Sequence, residues 1–102
     1  MDHEIRRLFE QTGRTRYQFL TVELQTCFTA IDLAKFELSV GNTAVVEKEV
    51  LAVEQGIRVI QRFLPEVSGQ PRTEVEAGLA KLQSQLASLK AELSATSPPV
   101  AE

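Results

Sequence analysis

Apolar residues recur along the chain in three segments, each with the alternating four- and three-residue spacing of heptads. Every segment carries one unbroken seam, and the seams are Leu20, Leu24, Cys27, Ile31, Ala34 and Leu38; Val46, Val50, Val53, Ile57, Ile60 and Leu64; and Val75, Leu79, Leu82, Leu86, Leu89 and Leu93. This period places a seam along one side of an α-helix and does not fit the two-residue alternation of a half-buried strand. The sequence therefore predicts an all-α protein with three long amphipathic helices.

Turn and capping residues predict where these helices begin and end. Gly41 suits a helix C-terminal cap, and Asn42 or Thr43 directly after it suits the next N-cap. A connection this short predicts an antiparallel hairpin of the first two helices. Pro65 is expected to end the second helix. Two capping boxes predict the starts of the first and third helices: Thr15 with Gln18, and Thr73 with Glu76.

The matched lengths of the helices predict an up-down-up three-helix bundle. We expect a single helical-bundle domain over residues 1–95 and a disordered tail over residues 96–102. Ahead of the first long helix, Ile5, Leu8 and Phe9 mark either a short N-terminal helix or an extension of the first long helix. A separate short helix would be able to pack on the bundle as a fourth element.

Composition and charge narrow the classes of partner. Hydrophobic residues make up 43% of the chain and charged residues 25%, as in a soluble globular protein. The net charge of -3 is too small to create a strong field for nucleic acid or for an anionic membrane. The N-terminal residues lack the apolar region of a signal peptide, and no run is long enough to span a bilayer. We expect a cytoplasmic protein without membrane contact, for which nucleic acid is a disfavoured partner.

Residues that carry chemistry are few and scattered. His3 is the one histidine, whereas a metal site needs several converging ligands. Cys27 is the one cysteine; it lies on a core seam, where burial raises a thiol pKa and where no second cysteine or histidine is near enough to activate it. The glycines stand singly, so no phosphate-binding loop is present. These patterns predict a protein that is not an enzyme and that has no catalytic residue, metal, cofactor or small-molecule substrate.

The first long helix also carries apolar residues on the side opposite its core seam. We call this second line the outer stripe; its large members are Phe19, Val22, Leu33, Phe36 and Val40, and Thr26 and Thr29 complete it. At 100° per residue, the outer stripe lies nearly opposite the core seam. The two neighbours in a three-helix bundle approach from directions about 60° apart. They are therefore expected not to cover the outer stripe.

The outer stripe has four possible explanations. In the simplest, its residues are scattered singly and half covered by the side chains of Lys35 and Glu37. The other three assign it a cover. The N-terminal segment could fold back over it, two chains could pair through it as an isologous dimer, or a partner helix could bind it. We expect a protein-protein interaction or self-association module, of an adaptor-like or chaperone-like kind, that binds through this face.

An alternative function depends on a basic cluster near the N-terminus. Its members are Arg6, Arg7, Arg14 and Arg16. Asp2, Glu4 and Glu10 offset most of this charge, and no aromatic residues are interleaved as in single-strand binders. The alternative is a small regulator that docks an acidic or nucleic-acid surface through these arginines.

The hairpin LAKFELSVGNTAVVEKEV resembles one tetratricopeptide-type repeat. Leu33 and Ala34 match the small-residue pair of that family's first helix, and Gly41 and Asn42 match its turn. The positions of the family's second-helix alanine and aromatic hold valines instead, the closing proline has no match, and no second repeat follows. The helical layout is also similar to microtubule-interacting-and-trafficking domains and to flagellar-type export chaperones. Each of these resemblances implies binding of a partner helix or peptide.

Small residues on the second helix predict where it approaches a neighbour. Gly56 costs about 1 kcal/mol relative to alanine inside a helix. A close helix-helix contact would offset that cost. The flank that holds Ala52 and Gly56 is therefore expected to face another helix.

Overall fold

The computed structural model describes the backbone of residues 2–96 and the side chains of residues 15–96. Three helices form this part of the chain: α1 (Asp2–Ser39), α2 (Thr43–Phe63) and α3 (Gly69–Thr96). A short 3₁₀ turn, Leu64–Glu66, follows α2. Each helix packs against the other two, and the described residues contain no strand. The predicted all-α three-helix bundle is therefore confirmed, and the predicted tail lies outside the described residues except for Thr96, which ends α3.

The three predicted seams meet in one hydrophobic core. All their members are buried except Leu38, Leu64 and Leu93, which lie at the helix ends and are partly buried. Val67, in the connection before α3, is the one buried large side chain of the described residues that lies outside the seams. No polar or charged residue of that part is buried, so burial of apolar surface is the main stabilising term.

The connection between α1 and α2 is a Schellman motif centred on Gly41. Gly41 has a φ of 81°, its N–H donates to the Leu38 carbonyl at 3.1 Å, and the N–H of Asn42 donates to the Glu37 carbonyl at 2.9 Å. The Asn42 side-chain amide also donates to the Glu37 carboxylate at 2.9 Å. These bonds satisfy the last carbonyls of α1 and reverse the chain within two residues, which confirms the predicted antiparallel hairpin.

Both predicted capping boxes are wrong, because both helices begin further toward the N-terminus. Thr15 lies inside α1. Thr73 lies inside α3, where its hydroxyl donates back to the Gly69 carbonyl at 3.4 Å instead of capping the helix. Pro71 fits the first turn of α3, since the N–H groups of that turn have no partner within the helix.

The N-terminal segment is an extension of α1 and not a separate helix. α1 runs without a break from Asp2 to Ser39, which is about 57 Å at 1.5 Å per residue. A segment that continues the helix cannot turn back over the same helix. The explanation in which it folds back over the outer stripe is therefore wrong, although the side chains of Ile5, Leu8 and Phe9 lie outside the described residues.

Two glycines allow the helices to approach closely. Gly56 of α2 is buried against α1, and a Cβ at this position would overlap the Sγ of Cys27. The predicted close contact of this flank is confirmed at Gly56 and wrong for Ala52, which is exposed one turn earlier and lines an open groove. On α3, a Cβ at Gly78 would lie 2.9 Å from the Cδ1 of Leu24, a contact that the sequence did not indicate.

Candidate interaction surface

The outer stripe is the main exposed apolar surface of the described residues. Its five large members are exposed to the following extents: Phe19 39%, Val22 57%, Leu33 46%, Phe36 61% and Val40 60%. Thr26 and Thr29, between them, are also exposed. Single exposed hydrophobic residues are ordinary on a protein surface, but several of them along one face of a helix are typical of an interaction site.

The spacing of the outer stripe is itself that of a heptad seam. From Phe19 to Val40 its residues follow one another at intervals of three and four, over about 32 Å of helix. α1 therefore carries two seams on opposite sides. One seam is buried in the bundle, and α2 and α3 leave the other open from Val22 onward.

Phe19 differs from the other members because α2 reaches it. Its ring meets Phe63 edge to face, with centroids 5.9 Å apart and planes at 89°. The guanidinium groups of Arg16 and Arg62 lie over the Phe63 ring, 4.8 and 5.6 Å from its centroid. The expectation that no neighbour reaches the outer stripe is therefore correct for four large members and wrong for Phe19, which packs partly within the bundle.

A shallow apolar groove between α1 and α2 adjoins the outer stripe. Its volume is about 290 Å³, and its lining residues are Glu23, Thr26, Cys27, Ala30, Ala52, Val53, Gln55, Gly56 and Val59. The groove exists because Ala30, Ala52 and Gly56 leave room above the core. Thr26 belongs to both the groove and the outer stripe, so the two form one continuous surface, which we call the α1–α2 groove and outer stripe.

Cys27 forms part of the floor of the groove and is suited to packing, not to nucleophilic chemistry. It is 4% exposed. Burial, and next the negative charge of Glu23, raise the pKa of the Cys27 thiol above its ordinary value. The thiol is therefore protonated near neutral pH, and a protonated thiol is a poor nucleophile.

The arginine cluster is described by the structure only at Arg16. Its guanidinium pairs with the Glu66 carboxylate at 3.0 Å as well as lying over Phe63. The guanidinium of Arg16 therefore already interacts with two residues of the same chain. The side chains of Arg6, Arg7 and Arg14 lie outside the described residues, so no described contact favours the alternative of an acidic or nucleic-acid surface.

Other parts of the described region offer less to a ligand. A second open cavity of about 360 Å³, between α2 and α3, is crossed by the ion pair of Lys90 with Glu54 at 2.9 Å. The described residues contain no cluster of three or more histidine, cysteine, aspartate or glutamate side chains that could bind a metal ion. Within the same residues, no helix combines the length and the apolar character needed to cross a membrane.

Leu51 is the one large exposed hydrophobic residue that lies outside the outer stripe in the described part, at 65%. It belongs to no seam, and periodicity therefore did not single it out. Glu47, Lys48, Glu54 and Gln55 lie one turn away along α2. Leu51 is therefore isolated among polar residues and serves as a control position for the outer stripe.

The phenol of Tyr17 ties α1 to α3 and should titrate abnormally. It donates to the Glu74 carboxylate at 2.6 Å. This hydrogen bond, then partial desolvation and the Glu74 charge, raise the pKa of Tyr17 above its ordinary value near 10.0. The folded state thus holds the phenol proton more tightly, so this contribution to stability is present below pH ~10 and is lost as the pH rises through the raised pKa.

Tyr17 is the only tyrosine and the chain has no tryptophan, so ultraviolet absorbance of tyrosinate reports this group alone. We expect Glu74→Gln to move the Tyr17 pKa down toward its ordinary value. Glu76→Gln, which removes a carboxylate that pairs with Arg72, is the matched control and should leave it unchanged. Identical titrations of wild type and Glu74→Gln would show that the hydrogen bond is not formed in solution.

Comparisons with protein-family models, with curated proteins and with solved structures find no significant match to this chain. The tetratricopeptide-type resemblance of the hairpin therefore stays a prediction. The function has to be inferred from the α1–α2 groove and outer stripe.

Proposed function

We propose that this chain is a non-enzymatic helical bundle that binds a partner α-helix, or a second copy of itself, through the outer stripe of α1. One observation carries the proposal: four large apolar side chains, each 46% to 61% exposed, stand along a heptad seam whose opposite side is already buried in the core. A seam with this spacing accepts another helix by the packing of knobs into holes. The interaction is therefore burial of an apolar helical face.

The strongest part of the outer stripe is near the C-terminal end of α1. Phe36 is 61% exposed, and Leu33 and Val40 stand one turn on either side of it. The three side chains form a continuous apolar patch, because residues three and four apart are neighbours on a helix surface. Covering the exposed part of Phe36 would contribute about 1–2 kcal/mol to binding.

Phe36→Glu should abolish association through the outer stripe and leave the fold intact, because the side chain lies outside the core. A charge placed at the centre of a buried apolar interface costs more than the lost burial of one phenylalanine. Self-association is measured as molar mass by light scattering over a concentration series. Helix binding is measured with labelled amphipathic helical peptides, and helicity with circular dichroism.

Leu51→Glu is the matched control. It also replaces an exposed apolar residue by glutamate on a helix, but on α2 and away from the outer stripe. We expect it to associate like the wild-type chain. The proposal fails if Phe36→Glu associates as well as Leu51→Glu does, or if the wild-type chain is a monomer that binds no amphipathic helix.

A further inference from the structure

We infer that the α1–α2 groove and outer stripe accept a partner helix whose apolar seam is flanked by lysine or arginine, and that the Glu23 carboxylate binds one of these basic side chains. The inference rests on the proposed function and specifies the chemistry of the partner. It chooses a basic amphipathic helix of another protein over a second copy of this chain.

The shape of the surface places the partner helix beside α1 and over α2. The groove is lined by small residues, among them Ala30, Ala52 and Gly56, so large side chains of a partner can enter it. Thr26 continues the groove into the outer stripe. A helix laid along this line would contact α1 and α2 together, and it would bury more apolar surface than a helix that contacts the outer stripe alone.

The charge within the groove is a single carboxylate. Glu23 is the only charged residue among those that line it, and its side chain is partly buried. Its Oε2 lies 3.9 Å from the position that a Cβ on Gly56 would take, which places the carboxylate over the floor of the groove. Nothing in the described part of the chain forms an ion pair or hydrogen bond with this carboxylate.

Other carboxylates at the helix contacts do have partners. Glu54 pairs with Lys90, Glu66 pairs with Arg16, and Glu74 accepts from the Tyr17 hydroxyl. A partner helix that covered Glu23 with apolar groups would leave a buried charge without compensation. A lysine or arginine beside its seam would instead form a charge-assisted hydrogen bond in a partly desolvated site.

The flanks of the outer stripe disfavour a second copy of the chain. Heptad positions on one flank hold Glu23, Ala30 and Glu37, and those on the other hold Gln25, Asp32 and Ser39. No basic residue stands on either flank between Phe19 and Val40. Two copies that paired through this seam, parallel or antiparallel, would therefore bring acidic flanks together, and like charges across an interface oppose association.

Three labelled peptides of about three heptads test the inference against the full chain. The first has a leucine seam flanked by lysine, the second has the same seam flanked by glutamate, and the third has the composition of the first with its seam scrambled. Affinities are measured by fluorescence anisotropy at about 0.15 M salt. We expect the lysine-flanked peptide to bind at least about tenfold more tightly than the glutamate-flanked one, and the scrambled peptide not to bind.

Glu23→Gln keeps the shape of the side chain and removes its charge. We expect it to weaken binding of the lysine-flanked peptide by about tenfold. Glu92→Gln is the matched control, because it changes the net charge equally on an exposed residue of α3 that belongs neither to the groove nor to the outer stripe. It should bind like the wild-type chain.

The outcomes separate this inference from the proposed function. Equal binding of the two seam peptides, or an equal loss in Glu23→Gln and Glu92→Gln, would overturn the role of Glu23 and leave helix binding in place. Binding of the scrambled peptide would also overturn the inference, since it would show general charge attraction. The wild-type chain could instead form a dimer that Phe36→Glu dissociates, and bind none of the peptides. That result would identify a second copy as the occupant of the surface. It would overturn the inference and support the proposed function.

Discussion

Replacing Leu82 by alanine should lower the free energy of unfolding by about 2–5 kcal/mol. Leu82 lies in the middle of the α3 seam and is 0% exposed. Removing most of its side chain loses the favourable free energy of transferring those atoms out of water. It also leaves a cavity that the surrounding helices fill only partly. A domain of this size is stable by about 5–15 kcal/mol in total, so this one change removes a large share of the stability.

Leu51→Ala is the matched control, since it is the same substitution on a helix of the same bundle. Leu51 is 65% exposed, and we expect a change within about 0.5 kcal/mol. Both variants are measured by urea denaturation followed with circular dichroism. Equal losses in the two variants would contradict the assignment of Leu82 to the core and of Leu51 to the surface.

The core could be predicted from sequence because the seams satisfy a condition that each helix imposes locally. A helix in a small bundle needs one continuous apolar side, and only the heptad-spaced lines of this chain provide it. Val67 could not be found in this way, because a residue in a connection has no period to reveal its direction. Its burial depends on how α2 and α3 come together.

The helix starts could not be predicted because capping residues permit a helix to begin without requiring it. Thr73 can cap a helix that starts after it, or donate back to a carbonyl one turn earlier inside a longer helix. In this chain it donates to Gly69. The threonine hydroxyl forms one hydrogen bond to the backbone in either case. Packing of the whole bundle therefore decides at which residue the helix begins.

For the outer stripe too, the sequence predicts what depends on one helix and does not predict what depends on how the helices pack. Periodicity predicted its exposed members, since an apolar line opposite the core seam lies away from both neighbours. Phe19 departs from this because α2 extends far enough for Phe63 to meet its ring at 5.9 Å. The groove beside the stripe depends on the register that brings Gly56 against Cys27, which no single segment reveals.

Gly56→Ala should destabilise the bundle by about 1–3 kcal/mol, although alanine is the better helix former. The new Cβ would overlap the Sγ of Cys27 across the contact of α1 with α2. Cys27 is 4% exposed and packs against the core, so the overlap can be relieved only by a shift of its sulfur or of the two helices. We expect the cost of this shift to exceed the propensity gain of about 1 kcal/mol.

A double-mutant cycle with Cys27→Ala tests this cause directly. Cys27→Ala removes the sulfur that the added methyl group would meet. In that background, Gly56→Ala should be neutral or stabilising by up to about 1 kcal/mol, which gives a coupling energy of about 1–4 kcal/mol between the two sites. Urea denaturation of the wild-type chain, the two single variants and the double variant supplies the four free energies.

Ala80→Gly, on the exposed side of α3, measures helix propensity in this protein without any change in core packing. We expect a loss of about 1 kcal/mol. If Gly56→Ala stabilises the wild-type chain by as much as Ala80→Gly destabilises it, then α1 and α2 are not in close contact at Gly56. Gly56 and Cys27 would then not form the floor of the groove, and Glu23 would not lie over that floor. Gly56→Ala therefore also tests the contact between α1 and α2 on which the groove depends.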